Sequence, residues 1–385
     1  MPTFAAKLIR WHGLHGRKNL PWQNTRDPYA IWVSEIMLQQ TQVMTVIPYY
    51  VRFMQCYPDI NALASAPLDS VLALWSGLGY YSRGRNLHKA ARLIVKDQGG
   101  RFPKDVDIMQ GLPGIGRSTA AAIAVFAYGS RCAILDGNVK RILARCFGMD
   151  GYSGVKGNER LLWQKAEDLL PDAAEAGTDN RSEIYTQALM DLGATVCTRV
   201  RPKCGVCPLQ EDCVAFRETR VKELPSRRPG KKLPERETTL LILIGQGKIL
   251  LEKRSSTGIW GSLWCLPEMP RGEDAGIYCS RRFGMQVKFL PPMDGFHHVF
   301  THFRLWIRPL PLQVVLPSPE GVVEKHAEVK WFMRDDALSA AIPAPVRKLL
   351  TRADWLGTPA NILLPLAGPM RESDDRRLGR QSVPE

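Results

Sequence analysis

Two periodicities divide the chain. Up to about residue 220, apolar side chains recur at three- and four-residue intervals, as in helices that bury one stripe; after about residue 238 they follow the shorter period of strands. Asp27 followed by Pro28 marks a helix start. An aspartate accepts the unpaired N–H groups of a first turn, and proline already has the helical φ. Apolar residues then continue at helical spacing to about Tyr50. Further helices are expected near 68–75, 84–97, 117–128, 138–146, 159–170 and 181–193, punctuated by Gly, Pro and Asn. Thr238 to Ile244 and Lys248 to Arg254 read as two strands around a Gly-Gln-Gly turn, and Phe300 to Pro309 and Val329 to Met333 as further strands.

Between the two regimes lies LPSRRPGKKLPERE, with three prolines and a run of Arg and Lys from which no core can form. The expected organisation is therefore a helical domain over 1–220, a basic linker over 221–237, a smaller α+β domain over 238–355 and a disordered tail over 356–385. No internal repeat is visible.

The length of 385 residues suits two or three domains, each able to bury a core. The formal charge of +14 favours a polyanionic partner, without choosing DNA over RNA or a membrane surface. Apolar runs such as Thr119 to Tyr128 are far too short to span a bilayer, and Met1 to Arg10 lacks the apolar core of a secretory leader. Nine cysteines, an odd number, then point to a reducing interior in which Cys56, Cys132, Cys146, Cys265 and Cys279 act as small hydrophobes.

The other four, Cys197, Cys204, Cys207 and Cys213, form a C-x6-C-x2-C-x5-C run that brings four thiolates to one centre. Spacing alone leaves an iron–sulfur cluster and a structural zinc ion both open. Four protein ligands leave no position for bond chemistry, so the site would fold a loop whose Arg199, Arg201 and Lys203 meet phosphates. Gly114 and Gly116, in Leu-Pro-Gly-Ile-Gly, allow a tight turn and close approach to a ligand ahead of a helix whose free N–H groups suit a phosphate; a plain helix–helix turn is the alternative, and the cysteine run and the charge weigh against it. Glu35 lies between Ile31 and Leu38 on one helical face, where apolar neighbours would hold its proton more tightly. Asp136 is a second carboxylate, or merely a helix cap, and the sequence does not bring the two together.

Residues 1–220 resemble the helix-hairpin-helix DNA glycosylases, and 1–355 resemble the MutY family of adenine DNA glycosylases. Leu20-Pro21-Trp22, WVSEIMLQQTQV at 32–43, GLGYYSRGRNL at 77–87, LPGIGRSTA at 112–120, ILDGNVKR at 134–141 and the cysteine run carry the match. KRSSTGIWGSLWCLPE at 253–268 and HHVFTHF at 297–303 are similar to the family's Nudix-like domain. The resemblance implies an all-α helix-hairpin-helix glycosylase with an iron–sulfur loop, joined to a small α+β Nudix-like domain.

It further implies a [4Fe-4S] cluster on the four cysteines. Glu35 becomes the catalytic acid, Asp136 the second carboxylate and Asn138 a residue that places the sugar. Trp22 belongs to the adenine pocket, and Gln40 and Tyr80 enter the base stack. Ser118 stands where lyase-type relatives carry a nucleophilic lysine, and Lys140 is the first lysine after the hairpin glycines. A monofunctional enzyme is therefore expected. Phe300, Thr301 and His302 match the lesion-reading loop, with Thr in place of the usual Ser. The stretch 271–283 holds only Glu273 and Asp274 as acids, so no Nudix hydrolysis is expected.

The expected substrate is duplex DNA with adenine opposite 8-oxoguanine or guanine, acted on by a cytoplasmic, nucleoid-associated monomer. Two rival readings are a bifunctional endonuclease III-type enzyme, disfavoured by Ser118 and the second domain, and a non-enzymatic DNA-binding protein, which leaves Glu35 and Asp136 without a use.

Overall fold

Asp27 starts the helix expected of it, its carboxylate accepting the Tyr29 N–H at 3.0 Å and the Ala30 N–H at 3.4 Å, with Pro28 in the first turn. The computed structural model describes residues 2–152, 154–171, 181–226, 233–316 and 328–352. The helical part comprises α1 (Phe4–His15), α2 (Pro28–Leu38), α3 (Val43–Cys56), α4 (Ile60–Ser65), α5 (Leu68–Trp75), α6 (Ser82–Gln98), α7 (Val106–Gln110), α8 (Arg117–Tyr128), α9 (Gly137–Cys146), α10 (Lys156–Asp168), α11 (Arg181–Thr195) and α12 (Val214–Arg217).

The apolar run to Tyr50 is two helices rather than one. α2 stops at Leu38, Gln40 takes a left-handed φ of 58°, and α3 begins at Val43. The cause is the buried guanidinium of Arg83, whose Nη1 takes the carbonyls of Ile36, Met37 and Gln39 that a continuing helix would have used. α1, α4 and α7 were not expected. The last two are turns of six and five residues, too short to show a period and started by Asp59 and Asp105 caps.

These helices build two cores. Trp32, Ile36, Phe53, Trp75, Leu87 and Ile123 anchor one lobe. Leu8, Trp11, Ile142, Leu143, Leu189 and Leu209 anchor the other. Each such large side chain stabilises the fold by about 1.5–3 kcal/mol relative to exposure. α8 serves both lobes: Ala120 and Ala124 face the first, Ala121 and Ala122 the second, and their small side chains let both lobes approach one helix.

The remainder comprises β1 (Glu235–Gly245), β2 (Lys248–Lys253), β3 (Trp264–Cys265), β4 (Glu268–Met269), α13 (Ala275–Phe283), β5 (Gln286–Phe289), β6 (Phe296–Val299), β7 (Arg304–Leu316), β8 (Val329–Phe332), α14 (Arg334–Ser339) and α15 (Ala344–Thr351). The strands form one mixed sheet in the order β3-β2-β1-β7-β5, with β4 on β1, β6 on β7 and β8 on β2. β1 and β7 run parallel; the other pairs are antiparallel. Both faces are covered, which is why Leu240 to Ile244 read as unbroken apolar sequence. Leu240, Ile242 and Ile244 pack with α14 and α15, whereas Leu241 and Leu243 pack with α13.

Two expectations need correction. β7 begins at Arg304, not at residue 300: residues 300–303 turn the β6–β7 hairpin, closed by the Phe300 N–H on the Phe303 carbonyl at 2.9 Å. The segment expected as exposed linker is ordered at both ends. Leu224 is buried with its carbonyl on Arg145 Nε at 2.8 Å, and β1 starts at Glu235 because Glu235 to Ile244 pair with Arg304 to Gln313. Residues 227–232 and the expected tail over 356–385 lie outside the described residues. The two parts also touch: Leu72 of α5 enters the second domain's core, and Asp69 accepts Lys253 Nζ at 2.9 Å and Trp264 Nε1 at 3.3 Å. Among the described residues no helix is long and apolar enough to cross a membrane.

Candidate active site

α2 carries Glu35 from the first lobe, and the cap of α9 carries Asp136 from the second. Both line one cavity of about 1360 Å³ between the lobes. Small-ligand pockets run to roughly 300–1,000 Å³, so this one admits a purine nucleoside with its sugar. Ile31, Leu38, Trp22, Phe126 and Met190 supply apolar wall; Ser118, Asn138, Gln42 and Thr119 supply polar groups. The helical spacing that grouped Ile31, Glu35 and Leu38 on one face holds.

The two carboxyl groups live in unlike surroundings. Burial, and then the Asp136 charge, push Glu35 up to about 8. No hydrogen bond is formed to its carboxyl by any described residue. Asp136 is also raised by burial, but it accepts Val139 N–H at 2.8 Å and Asn138 N–H at 3.0 Å on Oδ1 and Asn138 Nδ2 at 3.2 Å on Oδ2. Arg141 also favours its charge, so donors and a guanidinium oppose burial at Asp136, whereas at Glu35 burial is joined by a neighbouring anion. Asp136 caps α9, and the same cap turns it onto the cavity wall.

Other expected residues divide between cavity and surface. Trp22 is buried edge-on to Tyr50, ring centroids 5.3 Å apart, and faces the cavity. Ser118 lines it while its hydroxyl accepts the Leu135 N–H at 3.0 Å, fixing the loop that leads into Asp136. Lys140 is not brought to the cavity wall; its Nζ is drawn to Glu159 at 2.5 Å. Gln40 and Tyr80 are exposed beside the mouth, both in left-handed backbone (φ 58° and 47°). Gly114 has φ +83°, and a Cβ there would come within 3.0 Å of Asn86 Cβ; Gly116 heads α8 with no side-chain cap, leaving free N–H groups. Thr301 and His302 stand exposed on the second domain, on the tip between β6 and β7.

Three residues that shape the site gave no sequence signal. A Cβ on Gly193 would sit 2.4 Å from Asn138 Cβ, so only glycine lets α11 approach α9 there. Arg141 gives Nη2 to Asn138 Oδ1 at 2.8 Å and to Gly193 O at 2.6 Å, and Nε to Cys197 O at 2.6 Å. Buried Asp191 accepts Arg17 and Gln187, whose side chains line the cavity. Burial pushes Asp191 up, but the His12 imidazole, its Nε2 3.4 Å away, and Arg17 more than offset this and hold it below the ordinary aspartate value.

One α9 turn beyond Arg141, Arg145 enters the cysteine loop. Cys197, Cys204, Cys207 and Cys213 line a single recess walled by Ile142, Leu192, Val196 and Leu209. The Arg145 guanidinium is buried there, Nη1 lying 3.4 Å from Cys197 Sγ and 2.8 Å from Thr198 O. A buried cation needs an anionic partner, which a thiolate-ligated cluster supplies. Four cysteines around one recess, beside a buried cation, are a donor set that fits an iron–sulfur cluster.

The chain also matches known proteins along its length. Residues 33–168 match the HhH-GPD superfamily base excision DNA repair protein family, 197–213 the iron–sulfur binding domain of endonuclease III, and 238–352 the NUDIX domain. An adenine DNA glycosylase of Buchnera aphidicola is 36% identical over 92% of this chain and 98% of its own length. The Homo sapiens adenine DNA glycosylase is 32% identical over 90% of this chain and 73% of its own. A thermostable thymine-DNA glycosylase structure aligns with a TM-score of 0.50 at 29% identity, over 56% of this chain and 95% of that one. With a four-cysteine loop that holds a [4Fe-4S] cluster and a Buchnera relative alike along nearly its whole length, the chain belongs to the adenine DNA glycosylase (MutY) family of DNA-repair enzymes.

Proposed function

We propose that the enzyme hydrolyses the N-glycosidic bond of adenine opposite 8-oxoguanine or guanine in duplex DNA, with Glu35 as proton donor and Asp136 as the anion beside the sugar. The observation that carries this is the placement of both on one cavity, the first raised by burial to about 8 and the second accepting hydrogen bonds from three donors. The adenine swings out of the helix into the cavity, against Trp22. Glu35 gives its proton to N7. The C1′–N9 bond then breaks with its electron pair passing to the protonated purine, which leaves neutral. Positive charge at C1′ is met by the Asp136 carboxylate. Water adds to C1′ and returns a proton to Glu35, leaving adenine and an abasic sugar.

Asn138, steadied by Arg141, places Asp136 and the sugar. Gln40 and Tyr80 brace the gap left in the stack. The α8 N-terminus after Gly114 and Gly116 takes a phosphate, as do Arg199, Arg201 and Lys203. When bound, the cluster supplies structure rather than bond chemistry, tying the four cysteines so that this basic loop keeps its shape. Phe300, Thr301 and His302 read the lesion opposite the adenine. Ser118 in the lyase lysine's place and Lys140 engaged by Glu159 favour monofunctional hydrolysis. Nudix hydrolysis is absent from the scheme: Glu273 is paired with Arg281 at 2.7 Å, and Asp274 caps α13. The working form in this reading is a monomer on nucleoid DNA.

Single-turnover excision from duplexes with adenine opposite 8-oxoguanine, guanine and thymine tests the reading. Adenine release from the first two only, with the strand intact until alkali is added, is the expected result. Nicking without alkali would instead favour the endonuclease III-type reading, and binding with no release the non-enzymatic one.

A further inference from the structure

We propose that the first turn of α6 is the joint through which the second domain sets the preference for 8-oxoguanine over guanine, with Arg85 as its positioning residue. This rests on the reading of Phe300 to His302 as the lesion-reading loop. Tyr81, the N-cap, and Arg85 are four residues apart and share a helix face; Arg83 lies about 200° round from each.

The shared face holds the second domain. The Tyr81 hydroxyl donates to Ile342 O at 2.9 Å, and Arg85 Nη1 donates to Gly261 O at 2.8 Å. Gly261 sits in a turn that permits no slack. Trp260 and Ser262 on either side are left-handed (φ 57° and 61°), and a Cβ on Gly261 would lie 2.6 Å from Ser256 O. Non-glycine residues persist in that region only when their surroundings fix them. Trp260 then packs on Phe300, ring centroids 5.8 Å apart, and on His298 at 6.2 Å; Phe300 stacks on Phe303 at 4.6 Å. The run of contacts from Arg85 through Gly261 and Trp260 ends at Phe300, one residue before Thr301.

The opposite face holds the catalytic side. Arg83 Nη1 donates to the carbonyls of Ile36, Met37 and Gln39, and Nη2 to Thr41 Oγ1 at 3.0 Å, Leu78 O at 3.3 Å and Gly79 O at 3.1 Å. These groups bound Gln40, Tyr80 and the end of the helix bearing Glu35. One helical turn is therefore fastened to the lesion loop on one side and to the catalytic helix on the other. Arg85 contributes a single hydrogen bond to this joint, while Leu72 stays in the second domain's core without it. Its loss would shift the placement of one domain on the other and leave each core whole.

The test is single-turnover excision by full-length Arg85→Ala, Arg85→Lys and Phe300→Ala/His302→Ala, from adenine opposite 8-oxoguanine and opposite guanine. Arg85→Ala should lower the ratio of the two rates about tenfold, the worth of one charge-assisted hydrogen bond. Its excision opposite guanine and its thermal midpoint should match the wild type, and Arg85→Lys should restore most of the ratio. An equal fall on both duplexes would make Arg85 merely structural and overturn the proposal. So would an unchanged ratio in Arg85→Ala when the loop variant has lost its preference. A loop variant with full preference would overturn the loop reading itself, and the proposal with it.

Discussion

At the scale of single residues, the proposed chemistry depends on two like groups being kept unlike. Glu35 has burial and a neighbouring anion against ionisation; Asp136 has three hydrogen-bond donors in favour of it. The pH dependence follows with a definite sign. Glu35 must be protonated, so single-turnover excision should hold steady below about pH 8 and fall above it, approaching tenfold per unit. An acid limb should appear where Asp136 gains its proton, above the ordinary aspartate value of about 3.9 because burial raises it. A rate that climbs through pH 8 to 9.5 would contradict the assignment of Glu35. The environment of Glu35 was legible beforehand, since Ile31 and Leu38 fall on its helical face. The meeting with Asp136 was not: they belong to different lobes, and no local pattern encodes the packing between lobes. Gly193 was hidden for the same reason. Its lack of a side chain matters only because Asn138 occupies the space.

At the scale of elements, α9 is the member on which the site hangs. Its cap is Asp136, its first turn carries Asn138, and Arg141 and Arg145 on its flank grip the cysteine loop. Gly193→Ala should force α11 away from α9. The expected cost is about 1–3 kcal/mol in denaturant unfolding, the usual penalty of overpacking, together with a loss of excision larger than the loss of stability explains. Unchanged excision would show that the α9–α11 spacing does not position Asn138. Arg145→Ala removes the cation beside Cys197, and purified protein should hold less iron per chain and yield it several-fold faster to a chelator. Iron content and release equal to wild type would remove Arg145 from the cluster's support. Helix limits such as Arg117 and Tyr128 of α8 could be read closely, because a glycine stands on either side. The break after Leu38 could not, because its cause, Arg83, lies far along the chain.

At the scale of the molecule, the +14 charge suits binding to duplex DNA. Affinity for any duplex should fall steeply with salt: with about six phosphates neutralised, roughly 10³-fold between 50 and 200 mM. Excision at saturating enzyme should change little, and a flat salt response in binding titrations would discredit the basic surfaces named here. The boundary between helical and strand periods near residue 238 showed two domains at once. The way they dock was not readable, because Leu72, Asp69 and Trp264 carry no signal until they meet. The central claim remains the chemistry between the lobes, and the most direct measurement is single-turnover adenine release opposite 8-oxoguanine by Glu35→Gln, with duplex affinity measured alongside. Excision should fall at least about a thousandfold, in line with loss of a positioned general acid, while affinity stays within a few-fold of wild type. Excision near the wild-type rate by a variant that cannot donate this proton would contradict the account.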